Sequence, residues 1–152
     1  MDQGEARRRF AAGRVGRLAT VTPHGTAHLV PVVFALVGEH VYTAVDGKPK
    51  TTRALQRLAN IEATGRASLL VDHYDENWSA LWWVRVDGSA QVLSLDSARV
   101  GPGRTPGSPG QARLAVQALT QKYPQYVSEP PTGPVVAVRL ERWRSWEATP
   151  TP

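Results

Sequence analysis

The chain has 152 residues, 41% of them hydrophobic and 20% charged, with no cysteine. That describes one ordinary globular domain and excludes a disulfide framework, Cys-based zinc sites and cysteine nucleophiles. The net charge of +5 points to an anionic partner: nucleic acid, a membrane surface or a phosphorylated small molecule.

Residues 3–12, within DQGEARRRFAAG, read as a short helix stopped by Gly13. VGRLATVT (15–22) is strand-like, PHG (23–25) a turn, and TAHLVPVVFALV (26–37) a second β-rich run interrupted by Pro31. A proline there marks an edge or a bulge. After GE, HVYTAV (40–45) completes a three-stranded meander. From Thr51 to Ile61 the apolar residues Ala54, Leu55, Leu58 and Ile61 recur at helical spacing. RASLLVDHY (66–74) is a strand. SALWWVRVDGSAQVLS (79–94) is a long strand or hairpin with a bend or bulge at Asp87-Gly88. GPGRTPGSPG (101–110) is a Gly/Pro-rich loop, and residues 111–123 read as a helix with apolar positions 114, 115, 118 and 119. GPVVAVRLERWRSWEA (133–148) is a closing strand whose Val136, Val138, Leu140, Trp143 and Trp146 are expected to face inward. The expectation is a single mainly β domain over 1–152, with a meander closed into a barrel to remove its edges.

The stretch VDGKPKTTRALQRL (45–58) carries Lys48, Lys50, Arg53 and Arg57 against one acid, Asp46. A helix start offers unpaired N–H groups and the positive end of the dipole. With Thr51 or Thr52 as cap, this segment suits a phosphate monoester; a solvated helix face has the same composition. Walker-type glycines are absent. Trp82 and Trp83 are adjacent on a strand, so one belongs to the core and the other faces outward, where an interface or ligand would cover it; a purely packing role for these and Trp78 is the alternative. Asp72, His73, Asp75 and Glu76 lack a second spaced histidine, so no metal site is expected. No triad motif, dinucleotide fingerprint or RNA-binding signature appears. No run approaches ~18 apolar residues, so neither a membrane span nor membrane binding is expected, and the chain is placed in the cytoplasm.

GRLATVTPHGTAHLVPVVFALVGEHVYTAVDGKPK, then LQRLANI, ASLLVDHYDENWSALWWVRVDG and VVAVRLERWRSWEA, together resemble the pyridoxamine 5′-phosphate oxidase-like split β-barrel proteins. Within that group the chain is most similar to the deazaflavin (coenzyme F420)-dependent branch, over roughly residues 5–148. The resemblance implies an FMN-binding-type split barrel, a homodimer, and a cofactor at the subunit interface. It places the cofactor phosphate on Lys50 and Arg53, with Lys48, Thr52 and Arg57 beside them. The ring would rest against Pro31, Val32 and Val33 and against Thr43, Ala44 and Val45, with Trp78 and Trp83 of the partner subunit closing the site. It implies an oxidoreductase that passes a hydride from reduced F420 to an unsaturated small-molecule acceptor. An FMN protein and a non-catalytic F420-binding protein are the alternatives, and nucleic acid is not expected as a partner. Where many relatives carry Asp-Pro-Arg or Asn-Pro-Arg before the fourth strand, this chain has Thr64-Gly65-Arg66.

Overall fold

The computed structural model describes residues 1–45, 52–95 and 109–149, with the side chains of 52–55 and 109 outside that description. Its elements are α1 (Gln3–Ala12), β1 (Gly16–Val21), β2 (Ala27–Val32), β3 (Ala35–Val37), β4 (His40–Ala44), α2 (Thr52–Thr64), β5 (Arg66–His73), β6 (Trp82–Leu93), α3 (Pro109–Lys122), α4 (Gln125–Ser128) and β7 (Val135–Glu147). The strands form one curled antiparallel sheet in the order β2-β1-β5-β6-β7-β4-β3. The fold is mainly β, as the sequence leads one to expect.

The expected three-stranded meander is corrected in one respect. The run 26–37 splits at Val33-Phe34 into two strands at opposite ends of the sheet. β2 pairs with β1, and β3 pairs with β4. Pro31 lies in β2, an edge strand, where a residue without an N–H is best tolerated. The connection through Val33 and Phe34 links the two ends of the curled sheet, so the barrel is split at this point.

Alternation sorts the side chains into two layers. Leu18, Val32, Val41, Leu69, Val71, Val84, Val86, Val136 and Val138 turn inward and meet α1 and α2 through Phe10, Leu58 and Ile61. Asp2 caps α1 by accepting from the Glu5 N–H at 2.8 Å. Phe10, on the buried side of that helix, packs 5.0 Å from the Phe34 ring and 5.5 Å from Trp143. Asn60, fully buried on α2, donates to Thr20 Oγ1 of β1 at 3.1 Å. A second cluster lies outside the sheet. There Ala112, Ala115, Leu119 and Tyr123 of α3 and its end cover Ala35, Tyr42, Ala44, Val135 and Ala137. Leu114, expected on the apolar side of this helix, is 43% exposed.

The β6–β7 register shifts at Asp87/Gly88, where the sequence places a bend or bulge. A Cβ on Gly88 would lie 1.9 Å from the carbonyl oxygen of Arg139, so only glycine lets the two strands approach there. The shift also changes which β7 residues face inward. Val136, Val138 and Leu140 do so on one side of it and Trp143 on the other. Trp146, expected inside, instead stands opposite Trp83 on the outer face and is 43% exposed. Gly65, at φ +65°, makes the turn from α2 into β5.

Candidate functional site

The outward residues of β1, β2, β5 and β6 follow from the same alternation. Arg17 stands opposite Leu70 and Pro31, and Ala19 opposite Ser68 and Leu29. Asp72 stands opposite Trp83, and Leu70 opposite Arg85. Apart from Pro31, these side chains together with Tyr74 line a groove of about 550 Å³. Its floor is apolar, supplied by Ala19, Leu29 and Leu70, with Trp83 and Tyr74 as aromatic walls.

Two arginines border it, and each has a carboxylate. Arg17 Nη1 lies 3.0 Å from Asp72 Oδ1. Arg85 Nε lies 3.1 Å from Asp87 Oδ1, which also accepts from Ser68 Oγ at 2.6 Å. These pairs hold the guanidinium groups over the groove. Within it Leu29 is 67% exposed and Tyr74 61%; Trp78, in the β5–β6 connection, is 78% exposed. Such a face is uncommon on a sheet that has nothing to bind.

The residues expected to hold a cofactor are distributed over three surfaces. Pro31 and Trp83 share the outer face with the groove, and Trp83 lines it. Trp82, its neighbour, packs against the core, which settles the alternation in favour of Trp83 as the outward ring. Val32, Thr43 and Val45 point into the interior. Thr43 is fully buried, and its Oγ1 has no hydrogen-bond partner among the described residues. Ala44 and Val33 lie in the cluster under α3. Arg57 is half-buried on α2. Thr52 and Arg53 occupy the first turn of α2, with side chains outside the described residues, and Lys48 and Lys50 lie outside them altogether. The loop expected at 101–110 falls outside the described residues up to 108; 109 and 110 belong to α3.

Sequence reasoning missed Arg17, Leu29, Leu70, Tyr74 and Arg85. The signal was present in the period-two pattern of β1, β5 and β6, whose outward positions mix arginine with aliphatic residues. It went unread because strand pairing, not the pattern of any one strand, brings them together. His73 and Asp75, weighed for a metal, form a local pair with Nε2 2.8 Å from Oδ2, and Asp72 belongs to Arg17.

A curled antiparallel sheet split between its second and third strands, with helices at the interior mouth and on one outer flank, defines the split-barrel class. The chain matches the family model described as pyridoxamine 5′-phosphate oxidase over residues 3–147, and it belongs to that family. No curated protein matches its sequence. Among solved structures it is similar to an FAD-binding protein from Mesorhizobium loti, at 19% identity and a TM-score of 0.70, covering 98% of this chain and 96% of that one. It is similar to a heme-binding protein from Mycobacterium smegmatis, at 21% identity and a TM-score of 0.68, covering 97% of this chain and 54% of that one. It is also similar to a structure described as an F420 reductase, at 20% identity and a TM-score of 0.61, covering 91% and 94%. At these identities the likeness concerns the fold.

Proposed function

We propose that the protein is an F420-dependent oxidoreductase that transfers a hydride between the deazaflavin and an unsaturated small-molecule acceptor, acting as a cytoplasmic homodimer. The observation that carries this reading is the outer-face groove, with its apolar floor, aromatic walls and arginine rim, in a chain of this family. The donor set fits a flat, anionic cofactor. Trp83 and Tyr74 offer faces for a conjugated ring. Leu29 and Leu70 exclude water from one side of it. Arg17 and Arg85 supply charge-assisted hydrogen bonds to anionic substituents. When bound, the deazaflavin supplies the hydride chemistry, and the chain supplies position and dryness. A second copy resting on the exposed Leu29, Trp78 and Trp146 would enclose the groove and complete the site.

The flavin alternative has its own support. Arg17 and Arg85 are both already matched by carboxylates, so the groove alone leaves little surplus charge for the acidic tail of F420. Under the F420 reading further positive charge comes from the basic segment that holds Lys48, Lys50, Arg53 and Arg57.

The test is titration of the purified protein with F420 and FMN side by side, followed by tryptophan quenching, then a screen of reducible acceptors with reduced F420. F420 should bind tighter than FMN at low salt, with a gap that narrows as salt rises. Equal or tighter FMN binding at every salt would replace the deazaflavin reading with the flavin one. Tight F420 binding with no turnover would leave a binding protein, and a heme Soret band on titration with hemin would turn the assignment toward heme.

A further inference from the structure

The C-terminal end of α3 meets two connections at once, and a buried ammonium sits at the junction. Tyr123 Oη accepts from the Phe34 N–H at 3.1 Å and lies 3.0 Å from two carbonyl oxygens, those of Phe34 and Arg14. One phenol thus ties α3 to the β2–β3 connection and to the α1–β1 connection. Arg14 answers by donating from Nη2 to the Lys122 carbonyl at 3.0 Å, its guanidinium 4.6 Å from the Tyr123 ring centroid. Lys122 Nζ lies 3.9 Å from the Phe34 ring centroid and 5.3 Å from that of Tyr123. The Nζ atom is buried and has no hydrogen-bond partner among the described residues.

An ammonium ion is costly to bury without an acceptor, and one or two ring faces return only part of that cost. No carboxylate is paired with Lys122 among the described residues. Among the described residues, the charged and titratable groups facing it are Arg14, from the α1–β1 connection, and Tyr123, on its own side; the β2–β3 connection contributes the uncharged Phe34 ring. Arg14 is a like charge and adds to the penalty. Desolvation first, and Arg14 second, push the Lys122 amine down to about 8.

We propose that Lys122 is a proton-controlled latch: as an ammonium it strains the docking of α3 against Phe34, and as a neutral amine it lets that docking close. The consequence reaches the front of the sheet, because Phe34 follows directly on Val33 and the Pro31–Val32 end of β2, on the edge beside the groove. The sign follows from the direction of the displacement. Below about pH 8 both folded and unfolded chains carry the charge and the folded one bears the full penalty. Between about 8 and the ordinary lysine value of 10.5 the unfolded chain holds more protons, so stability rises with pH. Tyr123, whose hydroxyl is pushed up by burial, opposes this once the pH passes its ordinary value of 10.0, so the usable window closes there.

The chain has three lysines, so ¹³C-lysine labelling resolves each, and the signal missing in Lys122→Met identifies this one. Its midpoint should fall near 8 in the protein without cofactor. Exchange protection of the Phe34 amide, corrected for intrinsic rates, should rise about tenfold from pH 7 to 9.5 in the wild type and stay level in Lys122→Met. A midpoint at 10.5, or parallel protection profiles in the two proteins, overturns the proposal. Should Lys122→Met fail to fold, Lys122→Arg keeps the charge at every pH and should stay at the low-protection end throughout; a rise like that of the wild type also overturns it. None of these measurements involves F420 or FMN, so they stand apart from the test of the proposed function.

Discussion

The outer surface of the sheet carries apolar residues at both ends, and the two ends are treated differently. Around β3, β4 and the start of β7, Tyr42, Ala44, Val135 and Ala137 are all at most 7% exposed, because α3 lies on them. Around β1, β2 and β5, Leu29 and its neighbours face outward with no helix above them among the described residues, and Trp146 and Trp83 extend that surface onto β6 and β7. The small residues at the first end let a helix approach closely. The larger ones at the second end, interleaved with Arg17, Arg85 and their carboxylates, form a groove instead of a seat for a helix. Among the described residues, one apolar face is covered by α3 and the other is not covered by a helix. Under the proposed function, that second face is the one a ligand and a second subunit would cover.

The glycine bulge joins the two ends, so its loss should break both. Gly88→Val places a Cβ 1.9 Å from the Arg139 carbonyl oxygen and 2.8 Å from its carbon, with backbone and no flexible side chain as the obstacle. The expected cost is about 3 kcal/mol or more, read as a shift of the denaturation midpoint. A stability close to wild type would mean that the strands do not approach as described. The covered end should come next. Leu119, fully buried between α3 and the sheet, should cost ~2–5 kcal/mol on truncation to alanine by the lost transfer energy and the cavity left behind. A value under ~1 kcal/mol, outside the usual range for such cavities, would show that α3 is only loosely seated.

Much of the fold was legible because it rests on local chemistry. Gly13 ends α1 where the sequence places the stop, since a Cβ there would come within 2.6 Å of Val71. The helix over 51–61 is found as α2, extended to Thr64, and the Asp87-Gly88 irregularity is found as a bulge. What failed was non-local. The split of 26–37 depends on β2 and β3 finding different partners across the sheet, which no pattern within the run reveals. Trp146 faces outward because the bulge shifts the register of β7, an event decided by Gly88 on another strand. The site was legible in part for the same reason. Trp83 could be read as outward from simple alternation, whereas Arg17, Leu29 and Leu70 become its neighbours only once β5 has paired with both β1 and β6.

Tyr123 tests how firmly the covered end is fastened. Tyr123→Phe keeps the ring against Arg14 and Tyr126 and removes only the hydroxyl. The buried Phe34 N–H then loses its acceptor, and the carbonyls of Phe34 and Arg14 lose a donor. An unsatisfied buried amide costs ~1–3 kcal/mol, so the midpoint should fall by that much while the far-UV spectrum is unchanged. A neutral result would mean that water replaces the phenol.

The smallest effect on stability is expected at the open end, and it is there that the comparison becomes sharpest. Leu29 is 67% exposed, so Leu29→Ala should change the stability of the isolated chain by no more than ~0.5 kcal/mol, against the several expected at Leu119. Leu29→Asp should be tolerated equally well by one chain alone. It should not be tolerated by two chains that bury this face, because a carboxylate without a partner in a closed apolar interface carries the full desolvation penalty. Light scattering at micromolar concentration should therefore report twice 16.6 kDa for the wild type and 16.6 kDa for Leu29→Asp, with both variants equally folded by circular dichroism. A wild type that runs as a monomer would leave the groove open to solvent on one side and remove the second copy from the proposed site. A Leu29→Asp protein that stays dimeric would move the interface to another face and leave the groove to a ligand alone.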